Sequence, residues 1–589
     1  MDNGVVEKYE QGIALFEEGR YEEAVACFIY AYESGYMQSE IIQDVYSCFV
    51  TPNIQEFQDN YNMTGVERYG IKCEDTAIDF IPVAEYAFYI WHKKQEKFLG
   101  LLDVADIKRP VSKSFQSLFI EDGCNIEDML DLLMQKNWSN VYILLQGRES
   151  ELLSFCKLPL FFKQYLEDAV FFKSEEELRS YFKNGENYLP REICTCNVQY
   201  WNDLFEEIHN ERINEVGGER TNIFLSICIP TWNRGRSALH VVKNILSSSY
   251  DAELEVVVSN NGSDKTDGYD ELKEIKDSRL KYYEFDSNRG FACNFRNVLG
   301  MAGGRFAVTC SDEDLLCLDE LPKYLDVLFN NMNVRFLTTS GEGPNFRDSE
   351  SCIFSTEIEA NIHAINANYI TGATFNIKYM RENKIFDKYD ELSGLSFIHW
   401  YAQCVMAAIA TKGGTAGFFN VKLWREGGTD EETGMLQYMR LENRIQQQND
   451  AVEFCNVLYN DDNEIFLPMM LERMYKTYLL LNVGFFWLPK EFMNEYKWTD
   501  VCLTIYKSHL ELICKYSGKA EGYIKRLKEI IFNDFSEFVL KNPVKSYQTE
   551  QESLLQEKMS LAIQEKIKQG IMPDDISTKE LEETIKASL

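Results

Sequence analysis

The sequence predicts an α/β protein with helical additions at both ends, and three observations carry that prediction. Two short apolar runs, Leu225–Ile229 and Leu254–Val258, have the length and β-branched content of buried parallel strands. Each stops abruptly in polar residues, Pro230-Thr231-Trp232-Asn233 after the first and Ser259-Asn260-Asn261-Gly262-Ser263 after the second. Between them Arg236–Ser247 has helical spacing, with Leu239, Val242, Ile245 and Leu246 on one face, which completes a βαβ unit. A third run, Arg305–Cys310, delivers Asp312, Glu313 and Asp314 to the same edge, where the carboxyl ends of strands in open α/β sheets bind ligands. Three acids at the end of a buried strand repel one another unless a cation or water holds them. This edge is the candidate site.

Taken in order, residues 1–60 read as helical hairpins. Gly12, Phe16, Tyr21, Ala24, Phe28 and Ala31 are spaced as in one tetratricopeptide repeat, with Gly19-Arg20 as the turn. Gln38–Phe57 reads as a degenerate second hairpin. Residues 61–200 form an expected α/β accessory domain. Phe80–Tyr89 and Lys97–Val104 suggest a hairpin, Ile126–Gln135 an amphipathic helix, and Asn140–Leu145 a buried strand ending in Gln146-Gly147-Arg148. Residues 201–221 read as a linker helix closing on Gly217-Gly218, and 222–430 as the catalytic domain. Within it Leu318–Asn331 and Ser396–Thr411 are expected helices, and Val334–Thr339, Asn368–Asn376 and Ala416–Leu423 expected strands. Residues 431–589 read as mostly helical.

Composition narrows the function. The 589 residues hold several domains, and 45% hydrophobic with 13% aromatic content excludes wholesale disorder. A net charge of −34 argues against nucleic-acid backbones and against docking on anionic lipid. Sixteen scattered cysteines lack a disulfide framework, no secretory signal opens the chain, and no run is apolar enough for a membrane span. A soluble cytoplasmic protein with reduced thiols is the expectation.

Five features in order, namely the strand ending in Pro230-Thr231-Trp232-Asn233, the Asn260-Asn261-Gly262-Ser263 loop, the Asn288-x-Gly290 turn, Ala302-x-Gly304 and Ser311-Asp312-Glu313-Asp314, resemble the donor half of a family 2 glycosyltransferase with the GT-A fold. The resemblance covers about 225–430. It implies a mixed-sheet GT-A domain and an inverting transfer of a sugar from a nucleoside-diphosphate sugar to a hydroxyl of a glycan, lipid-linked or protein acceptor, in surface polysaccharide or glycoconjugate synthesis. By the same resemblance Pro230, Thr231, Trp232 and Asn233 border the base and ribose. Asn261 stands where the family often has a base-contacting Asp. The turn Asn288-Arg289-Gly290 lets the backbone approach the diphosphate, with Arg289 or Arg296 offering charge, and Gly372 and Trp400 lie on the acceptor side. Arg234 and Arg236 rank below Arg296.

The leaving diphosphate needs its charge neutralised, and carboxylate oxygens suit Mn²⁺ or Mg²⁺. Asp312, Glu313 and Asp314 are the candidate ligands, and which of them touches metal is left open. Many family members carry Glu-Asp after the acceptor strand. Here Ser396-Phe397-Ile398-His399-Trp400 occupies that place, so His399 is a candidate base, with Asp390 and Glu391 competing. The Gln-x-x-Arg-Trp motif and membrane helices of processive members are missing, which favours single addition. A catalytically inactive scaffold, binding partners or itself through the helical ends, is the alternative. Nucleotidyl transfer to a sugar phosphate would want a richer Gly and basic signature than Arg234-Gly235-Arg236.

Overall fold

The computed structural model describes residues 3–459, apart from 106–111, 122–123, 146, 148, 184–186, 216–221, 251–252, 344–345, 347–348 and 428–440. Two compact units result, one of residues 1–222 with 322–330 and the other of 223–321 with 331–589.

The first unit opens with the helices Asn3–Glu17 and Tyr21–Glu33, followed by Gln38–Val45 and Ile54–Met63. A Cβ on Gly12 would lie 2.7 Å from the Phe28 ring, so glycine there lets the first two helices approach, and Ala24 and Ala31 are fully buried. Strands β1 (Ile78–Ala84), β2 (Ala87–His92) and β3 (Lys97–Asp103) form an antiparallel meander. The sequence predicts Phe80–Tyr89 as one arm of a hairpin. The structure divides it at Glu85-Tyr86, where Ala84 pairs with Ala87 across a two-residue turn. That turn has no Gly, Pro or Asn to announce it.

A parallel sheet follows, of β4 (Leu118–Glu121), β5 (Val141–Leu144), β6 (Val170–Phe172) and β7 (Glu192–Cys194) in the order β6-β5-β4-β7. Its helices include Ile126–Gln135, capped by the Asn125 side chain, and Val198–Glu215. Of the turn expected after the strand Asn140–Leu145, Gln146 and Arg148 lie outside the described residues, as do Gly217-Gly218. Residues 322–330, read from sequence as part of the catalytic domain, group with this unit. Asp326 Oδ1 accepts from the Phe115 amide at 2.6 Å and from Ser114 Oγ at 3.1 Å, and Asn330 Oδ1 accepts from the Lys113 amide at 2.8 Å.

The second unit is built on a nine-stranded mixed sheet: β8 (Leu225–Thr231), β9 (Leu254–Asn260), β10 (Leu280–Glu284), β11 (Phe306–Thr309), β12 (Leu315–Leu316), β13 (Phe336–Glu342), β14 (Cys352–Phe354), β15 (Thr374–Asn376) and β16 (Ala416–Arg425). The order is β10-β9-β8-β11-β15-β13-β16-β12, with β14 pairing on β16. Strands β10, β9, β8 and β11 run parallel, β15 runs antiparallel to both neighbours, and β13 and β16 are parallel. Every residue of β8 and β9 is buried, as their largely apolar runs require, and a polar pair among them, Ser226 and Glu255, is joined by a hydrogen bond from Ser226 Oγ to Glu255 Oε1 at 2.6 Å. The helix Gly235–Leu246 buries Leu239, Val242 and Ile245 against them.

This is the α/β architecture, with a GT-A-type mixed sheet and helical and α/β flanks, that the sequence predicts. Its core joins both halves of the sheet to the helices behind it through Val257, Phe295, Phe336, Phe375, Val405 and Phe454. Of the expected strand Asn368–Asn376 only Thr374–Asn376 pairs, and Ser396–Thr411 is interrupted at Tyr401, whose φ of −139° and ψ of 65° separate Phe397–Trp400 from Ala402–Thr411. Within the expected C-terminal helical region the helix Leu441–Leu458 is described, and residues 460–589 lie outside the described residues. Among the described residues no helix is long and apolar enough to cross a membrane.

Candidate active site

Because β8, β9, β10 and β11 are parallel neighbours, their carboxyl ends collect four polar loops at one edge. Thr231, the last residue of β8, is buried and donates from Oγ1 to Asp312 Oδ2 at 2.8 Å. The other oxygen of Asp312 accepts from Arg234 Nη1 at 3.0 Å, and the same guanidinium nitrogen stands 3.5 Å from Glu313 Oε2. Burial pushes the Asp312 and Glu313 carboxyls up from their ordinary range, and the Arg234 charge pulls both back. Arg234 is therefore the cation that faces the acids.

Asp314 is turned inward. It is 0% exposed, and its Oδ2 accepts from Tyr369 Oη at 2.8 Å and from Thr371 Oγ1, while Oδ1 accepts from the Gly427 amide at 3.0 Å. The backbone of Gly427 passes so close to the Glu313 carbonyl that a Cβ there has no room. Next to it, Glu426 adds negative charge against Glu313. The unpaired part of the expected acceptor strand thus has a use. Residues 369 and 371 leave the sheet ladder to hold Asp314, and Gly372 takes φ 85° where a side chain would meet Thr339 Oγ1.

The neighbouring loops interlock. Asn233, at φ 57°, donates its amide to Ser263 Oγ at 2.8 Å and accepts at Oδ1 from the amide of Asp264 at 2.9 Å. Asn261 donates from Nδ2 to Asn288 Oδ1 at 2.9 Å and accepts at Oδ1 from the Arg289 amide at 2.9 Å. Gly262, at φ 62°, leaves no room for a Cβ beside the Ser287 backbone. Beside these bonds lies a cleft of about 470 Å³ lined by Gly262, Asp264, Phe285, Asp286, Ser287 and Asn288. Trp232 is 43% exposed at its edge of the sheet, whereas Pro230 lies buried within β8. The helix Phe291–Met301 begins at Gly290, so its N-terminal amides start at this edge.

The structure thus brings Thr231, Asn233, Asn261, Asn288 and the acids into one connected network. Arg296 belongs to another. Its Nε and Nη2 hold the Asp390 carboxylate at 3.1 and 3.0 Å, and its guanidinium lies over the Phe386 ring. Glu391 follows Asp390 at the end of the helix Ile385–Glu391 and is exposed. His399 is exposed on the short helix Phe397–Trp400, and Trp400 donates from Nε1 to Asp450 Oδ2 at 2.8 Å. Sequence reasoning missed Tyr369, Thr371, Glu426 and Gly427. The Gly pair after Arg425-Glu426 was the available signal, since a glycine pair after a strand marks a close backbone approach. Among the described residues no three His, Cys, Asp or Glu side chains are grouped so as to hold a metal ion between them.

Residues 226–376 match the sequence model of the family described as Glycosyl transferase family 2. This stretch is a family 2 glycosyltransferase domain. It contains the candidate site from Thr231 to Tyr369, together with Thr371, and stops short of Gly427. Over 100 residues the chain is 29% identical to WcaA of Escherichia coli strain K12, described as a candidate colanic acid biosynthesis glycosyl transferase. That alignment covers 16% of this chain and 34% of WcaA, so the chain spans about a third of the length of the curated relative it matches. Among solved structures, S. aureus TarS 1-349 in complex with UDP-GlcNAc has 13% identity and a TM-score of 0.39, covering 59% of this chain and 92% of that one. The mannosyltransferase PcManGT from Pyrobaculum calidifontis, in complex with GDP-Man and Mn²⁺, has 14% identity and a TM-score of 0.33, covering 62% and 96%.

Proposed function

We propose that the protein is an inverting glycosyltransferase that moves a sugar from a nucleoside-diphosphate sugar to a hydroxyl of a glycan, lipid-linked or protein acceptor. The observation that carries this reading is the connected edge of the family 2 domain, in which Thr231, Asp312 and Arg234 meet on one side and Asn261, Asn288 and Arg289 on the other, beside an open cleft. WcaA's link to colanic acid biosynthesis is in keeping with a surface-polysaccharide acceptor.

In this reading the base lies in the cleft, with the exposed Trp232 ring as a stacking surface. The diphosphate lies toward the start of the helix Phe291–Met301, whose unsatisfied amides and macrodipole favour an anion. Arg234 offsets part of the acids' charge, without which they would repel the donor.

The residues present fit a divalent cation. Each oxygen of Asp312 takes one protein donor and keeps a lone pair for another ligand, and Glu313 is partly exposed beside it. Such an all-oxygen set suits Mg²⁺ or Mn²⁺, which need only one or two carboxylates besides phosphate oxygens and water. Asp312 and Glu313 would hold the ion, and Asp314, saturated from behind, would fix the strand end that presents them. A bound ion supplies Lewis-acid neutralisation of the diphosphate.

Transfer requires that an acceptor oxygen bond the anomeric carbon while the bond to the diphosphate oxygen breaks and the hydroxyl proton leaves. Asp390 is engaged by Arg296 at both oxygens, which leaves His399 as the better candidate to take that proton, with Glu391 behind it. The test is release of nucleoside diphosphate from a panel of nucleotide sugars with polysaccharide-precursor acceptors. Turnover that disappears in His399→Gln while donor binding persists supports the scheme. No release from any donor by wild-type protein that binds nucleoside diphosphates would favour the inactive scaffold.

A further inference from the structure

At the position where a carboxylate would read the base, this chain has an amide whose oxygen and nitrogen each already have a partner within the protein. Asn261 is 4% exposed. Its backbone amide donates to the Thr231 carbonyl at 2.9 Å, which fixes the residue at the mouth of the β8–β9 edge. Its Oδ1 accepts the Arg289 amide, and its Nδ2 donates to Asn288 Oδ1. Asn288 Oδ1 also accepts the amide of Gly290 at 2.8 Å, so that oxygen serves two donors at once. The polarity of the pair is thereby fixed. Position 288 must accept, and position 261 must donate to it while accepting from Arg289.

We infer that Asn261 is a positioning residue, whose amide locks the Asn288-Arg289-Gly290 turn against the donor edge instead of reading the base. The inference rests on the donor-site reading for its meaning in catalysis, but the lock itself is a property of the free protein. It has a specific chemical consequence. A carboxylate at 261 has no hydrogen to give, and one of its oxygens would face Asn288 Oδ1, lone pair against lone pair. Flipping Asn288 does not help, because the Gly290 amide would then lose its acceptor. A carboxylate at 288, by contrast, still accepts from both Nδ2 of Asn261 and the Gly290 amide. A protonated carboxylic acid at 261 again has one O–H to donate and one carbonyl oxygen to accept, so it reproduces the amide.

The experiment compares wild type, Asn261→Asp and Asn288→Asp. In the free proteins, hydrogen exchange of the Arg289 and Gly290 amides is expected to accelerate in Asn261→Asp and to stay protected in Asn288→Asp. Equal behaviour of the two variants would overturn the inference. Binding of UDP, GDP and ADP is then measured across pH, each variant relative to wild type. Asn261→Asp is expected to weaken all three by one common factor of about ten at neutral pH, as leaving buried polar groups unpaired does. The deficit should close as pH is lowered toward about 5, since burial and the facing oxygen raise an aspartate above its usual ~3.9. A change in the ranking of the three bases, or a deficit that does not respond to pH, would overturn the inference. Wild-type protein that binds none of them would instead refute the donor-site reading, and the exchange measurement would still decide the lock.

Discussion

Arg234 and Gly427 show how single residues hold the acidic edge together. The guanidinium of Arg234 touches Asp312 and approaches Glu313, so its removal leaves two crowded carboxylates without their cation. Arg234→Ala is expected to weaken nucleoside-diphosphate binding by about tenfold, or about 1.4 kcal/mol, in a direct titration. At Gly427 a methyl group has nowhere to go, because the Glu313 carbonyl occupies its place. Gly427→Ala should destabilise the protein by about 1–3 kcal/mol in urea unfolding, the usual range for overpacking, and should weaken donor binding by moving the amide that holds Asp314.

Neither residue stood out in the sequence. Arg234 competed with Arg236 beside the same strand end and with Arg296 on the helix Phe291–Met301, and only the fold shows that Arg296 is drawn off to Asp390. Gly427 lies more than a hundred residues from the acids it supports, a separation that no local pattern reports. The acids themselves were legible, because three charges after a buried strand have few structural uses.

At the scale of elements, what the sequence made plain was periodicity with an abrupt end. The strands β8, β9 and β11 and the helix Gly235–Leu246 were predicted within a residue or two because each is mostly apolar where buried and stops at polar loops. The break at Tyr401 was hidden, since Phe397 and Ile398 before it and Ala402, Cys404 and Val405 after it are all buried and apolar, and the pattern runs on across it. The turn at Glu85-Tyr86 was hidden for lack of turn residues.

The meander that begins with β1 is pinned by a buried charge pair that also escaped pattern reading. Lys157 Nζ donates to Asp79 Oδ1 at 2.8 Å and to the Ile78 carbonyl at 2.8 Å, and Tyr46 Oη donates to Asp79 Oδ2 at 2.7 Å. Burial pushes the Asp79 carboxyl up, but Lys157, joined by Lys93 and the Tyr46 hydroxyl, more than offsets it and holds the carboxyl below its ordinary range. Burial lowers Lys157 in turn, with Asp79 opposing. Asp79→Asn strands a buried ammonium and should cost about 3–5 kcal/mol in denaturant unfolding. Lys157→Met should cost less, because Asp79 keeps Tyr46 and Lys93, the latter at 3.5 Å. Since the folded-state value for Asp79 is depressed, its stabilisation is present above the unfolded value of ~3.9. It is lost as pH falls below that through the folded value. Acid unfolding of the wild type should accordingly show a loss of stability below about pH 4 that Asp79→Asn lacks.

For the molecule as a whole, the unit that holds the family 2 domain carries a candidate site whose parts come from residues 231 to 427, while a second compact unit carries its own sheets and cores. The central claim is that this site binds a nucleoside diphosphate through Asp312. It is tested most directly by following thermal stability of the full chain with a panel of nucleoside diphosphates, with and without Mn²⁺ or Mg²⁺. A ligand present at ~100 times its dissociation constant adds about 2.7 kcal/mol. The expected result is stabilisation by at least one nucleotide, strengthened by the metal and lost in Asp312→Asn, which keeps the shape of the side chain but not its charge. Absence of a shift with every nucleotide, or a shift that Asp312→Asn leaves unchanged, would contradict the account.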